Sequence, residues 1–212
     1  MGENIIREEY SNNIIWLPEE LTENVESLCI PTVYNFENDP YMGNLKHLDL
    51  SYNHGLTKNP NFGGMPNLET LYLRACENLE DVHPSLGHFR MLTKLNLSGC
   101  CKLKKPPELR LGNLKLLNLI LCNGLTETPN FGDMPNLETL ILWMCRNSKK
   151  VHPSLGHCRM LTELNLSGCC TLKKLPELRL SNLKRLDLSW CSGLTETLNF
   201  GDMPNLETLM EV

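Results

Sequence analysis

One leucine spacing recurs along nearly the whole chain and leaves little choice of fold. The template L-x-x-L-x-L-x-x-(N/C)-x-x-L fits Leu45, Leu48, Leu50, Asn53 and Leu56, then Leu68, Leu71, Leu73, Cys76 and Leu79, then Leu92, Leu95, Leu97, Cys100 and Leu103. It fits again from Leu114 to Cys122, Leu137 to Cys145, Leu161 to Cys169 and Leu183 to Cys191, so successive starts lie 23, 24, 22, 23, 24 and 22 residues apart. A weaker copy precedes them at Val25, Leu28, Ile30, Val33 and Phe36, and a shortened one begins at Leu206 and Leu209. No unit of this length can bury its own leucines, so each must cover its neighbour in a stacked solenoid.

Within each unit, x-x-L-x-L-x-x alternates apolar and polar residues, as a strand with one buried face requires. One strand per repeat, each about 4.8 Å from the last, builds a parallel sheet. The returns TKNPNFGGMP, TETPNFGDMP and TETLNFGDMP are rich in Gly, Pro and Asn and read as turns and extended chain, whereas HPSLGHFRM and HPSLGHCRM can hold one short helical or 3₁₀ turn. The expected class is α/β: a leucine-rich repeat solenoid, or horseshoe, with a parallel β-sheet on the concave face and a thin, mostly non-helical convex side. Residues 1–16 are expected to be an irregular N-terminal segment, and 17–212 the solenoid with one degenerate, seven full and one truncated repeat.

A longer period of 69 residues lies over the short one. Residues 67–115 and 136–184 agree at 37 of 49 positions, including NLETL, VHPSLGH, LNLSGCC and PELRL, so a block of three repeats is duplicated.

The chain carries ten cysteines. Cys76, Cys100, Cys122, Cys145, Cys169 and Cys191 occupy the slot that Asn53 fills in its own repeat, where a strand ends and the chain bends inward. A thiol there serves as a small core residue with a weak S–H donor. Disulfides between adjacent slots fit the strand spacing, but the absence of a secretory leader after Met1 points to a reducing compartment. Metal binding lacks a C-x-x-C or a Cys/His pair at zinc spacing, and a ladder cannot converge on one ion. Cys101 and Cys170 are expected to face outward. His83 with His88, and His152 with His157, recur in the duplicated return as turn residues.

No phosphate-binding loop, nucleophile elbow or H-E-x-x-H motif is present, so no enzyme activity and no cofactor are expected. A net charge of −5 and an isoelectric point near 5.7 disfavour nucleic acid as a partner, and no apolar run is long enough for a membrane span.

NLKHLDLSYNHGLTKNPNF, NLETLYLRACENLEDVHPSLGH and LTKLNLSGCCKLKKPPEL resemble the leucine-rich repeats of plant intracellular immune receptors with a TIR domain and a nucleotide-binding domain ahead of the repeats. The resemblance covers roughly 14–212. It implies a non-catalytic protein-recognition module that senses a ligand and restrains a switch domain in defence signalling, located in the cytoplasm or nucleus. The implied partners are a pathogen effector, a host target or the receptor's own nucleotide-binding domain. A leucine-rich repeat substrate adaptor or regulatory scaffold outside immunity is the alternative.

Contact positions are those between the leucines. Most are polar, as in His47, Asp49 and Ser51 or Glu163, Asn165 and Ser167. Leu116, Ile120, Ile141 and Trp143 break the pattern on two adjacent strands, with Tyr72 further off and Trp190 just past a strand end. Clustered apolar residues of this size mark a contact surface, and Trp and Tyr are typical anchors. These six are the candidate partner-binding residues.

Overall fold

The computed structural model describes residues 5–7, 25–30, 42–59, 61–105, 107–195 and 200–211. Among them ten strands form one parallel sheet in sequential order. They are β1 (Ile5–Arg7), β2 (Ser27–Cys29), β3 (His47–Asp49), β4 (Thr70–Tyr72), β5 (Lys94–Asn96), β6 (Leu116–Asn118), β7 (Thr139–Ile141), β8 (Glu163–Asn165), β9 (Arg185–Asp187) and β10 (Thr208–Met210).

The template dictates the register. Leu28, Leu48, Leu71, Leu95, Leu117, Leu140, Leu164, Leu186 and Leu209 sit opposite one another from β2 to β10, one leucine at the centre of every three-residue strand. From Leu28 to Leu186 these centres are buried, and so are the flanking leucine columns such as Leu45, Leu68, Leu92 and Leu50, Leu73, Leu97. A leucine removed from water in this way contributes roughly 1.5–3 kcal/mol, and here it is the neighbouring coil that removes it. The NFG returns close the far side with Phe62 and Phe131, Phe62 lying 5.6 Å from Phe89 between ring centroids.

The backbone of each coil is also sewn to the next beyond the strands. Leu50 N–H donates to Tyr72 O at 2.8 Å, and Tyr52 N–H to Arg74 O at 2.6 Å, so the ladder continues around the bend. Two side-chain ladders reinforce it. In the first, each slot cysteine points inward and its thiol donates to a strand carbonyl of the preceding coil: Cys76 to Leu50 O, Cys100 to Leu73 O, Cys122 to Leu97 O, Cys145 to Leu119 O, Cys169 to Leu142 O and Cys191 to Leu166 O, all within 2.9–3.2 Å. In the second, exposed asparagines one residue before a template leucine reach back one coil, as Asn136 Nδ2 does to Gly112 O at 2.8 Å and Asn205 Nδ2 to Ser181 O at 2.7 Å.

The return side carries 3₁₀ turns at Pro84–His88, Pro153–His157 and Phe200–Asp202, and no α-helix occurs among the described residues. The duplicated turns start identically. His83 Nδ1 accepts from Ser85 N–H at 3.1 Å and His152 Nδ1 from Ser154 N–H at 3.2 Å, so each imidazole caps its own turn.

Residues 5–7 depart from expectation. They fall inside the segment 1–16 expected to be irregular, yet form β1, paired in parallel with β2 through Ile6 opposite Leu28. Two adjacent isoleucines favour extended backbone, and a neighbouring strand edge is available to pair with it. The remainder of 1–16, and Val33 and Phe36 of the degenerate repeat, lie outside the described residues.

Candidate functional site

The open face of the sheet is ruled into rows by the repeat. In the row between the two strand leucines, a short polar side chain folds back on its own strand end. Asp49 accepts from Ser51 N–H, Asn96 from Ser98 N–H, Asn118 from Ile120 N–H, Asn165 from Ser167 N–H and Asp187 from Ser189 N–H, all at 2.9–3.0 Å. Tyr72 and Ile141 occupy the same row in β4 and β7, where an aromatic and a branched apolar side chain replace that acceptor.

Just past each strand end lies a row set by backbone conformation. The residue before the ladder Asn or Cys has positive φ in all seven full repeats: Tyr52 (63°), Ala75 (54°), Gly99 (77°), Leu121 (58°), Met144 (60°), Gly168 (73°) and Trp190 (62°). Glycine enters this left-handed region freely, whereas other residues are strained there by roughly 1–2 kcal/mol each. Yet the slot holds tyrosine, leucine, methionine or tryptophan in four of the seven repeats and alanine or glycine in three. The side chains placed there stand on the rim: Tyr52, Leu121 and Trp190 are exposed, Trp190 to 75%. Tyr52 is covered on one side by the Arg74 guanidinium, 5.4 Å above its ring, and the Arg146 guanidinium donates to Met144 Sδ at 3.4 Å.

Of the six residues expected to bind a partner, the structure brings four together. Leu116 and Ile120 belong to the coil of β6, Ile141 and Trp143 to the adjoining coil of β7, and Leu121 N–H donates to Trp143 O at 2.9 Å between them. Trp143 is 42% exposed, while Leu116, Ile120 and Ile141 are half-buried. Tyr72, also half-buried, lies in β4, three strands from β7, and Trp190 follows β9, two strands away. Measured from the nearer strand of the cluster, β6 for Tyr72 and β7 for Trp190, spacings of about 4.8 Å per strand put each about 10 Å away. Sequence reasoning missed Leu121 and Met144, which extend the apolar surface along the rim, and Tyr52, which stands in the same row three coils before Leu121. The available clue was Gly99 and Gly168 in the same slot of two other repeats.

The ladder cysteines serve the structure. Burial pushes the ladder thiols up, Cys76 to about 11 and Cys145 to about 12, and raises Cys122 as well, so they remain neutral donors. None of the cysteines forms a disulfide; Cys101 and Cys170 are exposed, as their place one step beyond the ladder implies. Among the described residues no three His, Cys, Asp or Glu side chains gather as a metal would need. Lys102, Lys104, Lys105, Lys173 and Lys174 are exposed, with Lys104 paired to Glu80 at 3.7 Å. No helix among the described residues is long and apolar enough to cross a membrane.

Comparison with known proteins agrees with this architecture. Family models for leucine-rich repeats match residues 43–88, described as leucine-rich repeats in two copies, and residues 157–174. TMV resistance protein N of Nicotiana glutinosa is 33% identical over 176 residues, covering 70% of this chain and 15% of that protein. Disease resistance protein RPS4B of Arabidopsis thaliana is 32% identical over 173 residues, covering 80% of this chain and 14% of that protein. A protein of Trypanosoma equiperdum, named as an adenylate cyclase regulatory protein, is 36% identical over 171 residues, covering 78% and 26%. The chain thus spans only a small part of the curated relatives it matches. Among solved structures, the leucine-rich repeat domain of the type III effector XopL aligns at a TM-score of 0.45 with 19% identity, over 92% of this chain and 56% of that one. With seven full template repeats stacked in a single sheet, and with this likeness along most of its length, the chain belongs to the leucine-rich-repeat proteins, as a repeat region related to that of plant disease resistance proteins.

Proposed function

We propose that the chain is a non-catalytic protein-recognition module, the ligand-sensing and autoinhibitory repeat region of a plant disease resistance protein acting in defence signalling from the cytoplasm or nucleus. One observation carries the reading: on an otherwise polar sheet face, Leu116, Ile120, Ile141 and Trp143 lie on two adjacent coils, continued along the rim by Leu121 and Met144. Apolar side chains held at the cost of left-handed backbone are a poor choice for a merely solvated edge. A protein surface, whether a pathogen effector, a host target or the receptor's own nucleotide-binding domain, can bury them, with Tyr72 and Trp190 as outlying anchors. Nucleic acid and membrane are not among the partners of this reading.

The test uses a receptor that carries these repeats. Ile141→Ser with Trp143→Ser is expected to abolish partner capture, or to release signalling without a ligand if the face holds the switch domain, while the unfolding transition moves little. Unchanged capture and unchanged resting activity would defeat the reading. A regulatory scaffold outside immunity is the second reading, favoured by the 36% identity to a regulatory protein of a trypanosome. Transcript sequence ahead of Met1 separates the two: a phosphate-binding loop supports the receptor, and an F-box-like helical segment the adaptor.

A further inference from the structure

On the return side, away from the sheet, two cavities repeat the same wall 69 residues apart. The first, about 400 Å³, is lined by His83, His88, Lys105, Glu108, Arg110 and Asp81; the second, about 720 Å³, by Asn130, His152, His157, Arg159, Glu177 and Arg179. Each opens where the 3₁₀ turn of one coil leans on the P-E-L segment of the next. The turn can come so close because it holds glycine at the contact: a Cβ on Gly156 would meet Glu177 O at 2.6 Å.

The second cavity presents hydrogen-bond donors. His152 Nδ1 accepts from Ser154 N–H and lies 2.7 Å from Ser154 Oγ, whose own acceptor site is used by Phe131 N–H at 2.8 Å. With Nδ1 engaged as an acceptor, the neutral ring carries its proton on Nε2. Asn130 Oδ1 accepts from Gly132 N–H at 2.8 Å, which leaves the amide NH₂ to donate. The single lining carboxylate, Glu177, is engaged by Arg179 at 3.0 Å. Arg159 lines the cavity with a planar donor fork of the kind that matches tetrahedral oxyanions, and Arg179 with a second, one of whose nitrogens is held by Glu177 and which also feels the charge of Asp202.

The first cavity shares part of this wall but is smaller and has another charge balance. Asp81 and Glu108 offset Lys105 and Arg110 there, and Arg90, the counterpart of Arg159, is not part of its lining. The duplication has therefore left an internal control beside the site.

We propose that the second cavity binds the phosphate group of a small phosphorylated molecule through Arg159, Arg179 and the Nε2–H of His152. Its volume suits a ligand of small-metabolite size. The site is independent of the sheet face and of any partner bound there.

Titration of the full chain with inorganic phosphate and with glucose 6-phosphate, followed by amide and arginine side-chain NMR, tests the assignment. Saturable shifts at Arg159, Arg179 and His152 in one-to-one stoichiometry are expected. Arg159→Ala and Arg179→Ala should each weaken binding roughly tenfold or more, as the loss of a charge-assisted bond requires, while Arg110→Ala changes nothing. Tighter binding of the sugar phosphate identifies an organic ligand, whereas equal binding identifies the bare phosphate group as the whole determinant; both support the site. Shifts reproduced by chloride at equal ionic strength, or an Arg110→Ala loss as large as that of Arg179→Ala, would overturn it.

Discussion

The Cys145 thiol donates to the carbonyl oxygen of Leu119 in the preceding coil at 2.9 Å, and that bond is one of six alike along the core border. Its pH consequence has a definite sign. Burial raises Cys76 from 9.0 to about 11 and Cys145 from 9.0 to about 12. An unfolded chain therefore releases these protons first, and above pH 9 alkali favours the unfolded state. The stability held by the ladder is fully present below pH 9 and is lost as pH rises from there through the folded values, at up to about 1.4 kcal/mol per pH unit for each thiol. Urea unfolding midpoints should be level from pH 7 to 8 and fall by pH 10.5. The fall should be shallower in Cys145→Ala than in the wild type, and equal slopes would remove the ladder from the explanation.

Leu117 and Leu121 lie four residues apart and should respond oppositely to truncation. Leu117 is fully buried at the centre of β6, so Leu117→Ala is expected to cost about 2–5 kcal/mol. Leu121 is exposed with φ 58°, and Leu121→Gly exchanges a strained backbone for a free one, leaving stability within about 1 kcal/mol of wild type. Chemical denaturation of the two variants side by side measures the contrast. A large loss at Leu121 would mean that its side chain belongs to the core.

Gly168 has φ 73°, and a Cβ added there would lie 3.1 Å from Met144 Sδ. Gly168→Ala should therefore destabilise by about 1–2 kcal/mol, with part of that recovered when Met144→Ala is combined with it. A strictly additive double-mutant cycle would show that backbone strain alone is responsible.

Asn136 Nδ2 bridges to Gly112 O on an exposed edge. Asn136→Ala should cost about 0.5–1.5 kcal/mol and raise amide hydrogen exchange locally between the coils of β6 and β7. Exchange unchanged at that seam would reduce the asparagine ladder to decoration.

Leucine spacing made the sheet legible down to its register, because Leu48, Leu71 and Leu95 are buried only if they stack, and no other arrangement of that period buries them. The short turns at Pro84–His88 and Pro153–His157 were likewise foreshadowed by proline and glycine in HPSLGH. β1 was not foreseen, since three residues carry no period and its partner strand supplies the pairing. The bridging role of Asn136 and its counterparts leaves no mark in the sequence, because their partners lie a full coil back in the chain. The apolar cluster was visible where it replaced polar residues between leucines, at Leu116, Ile120, Ile141 and Trp143. Its continuation through Leu121 and Met144 was hidden, for φ is a property of the bend and leaves no mark on composition apart from two glycines.

The duplicated block gives the array a modular length. Its two copies present nearly interchangeable faces to whatever stacks above and below, agreeing at 37 of 49 positions, so an in-frame loss or gain of 69 residues leaves every remaining seam matched. Genetic recombination between the copies could shorten or extend the sheet by three strands, about 14 Å, in one step. The reach of the surface can thus be retuned without redesigning the interior that supports it.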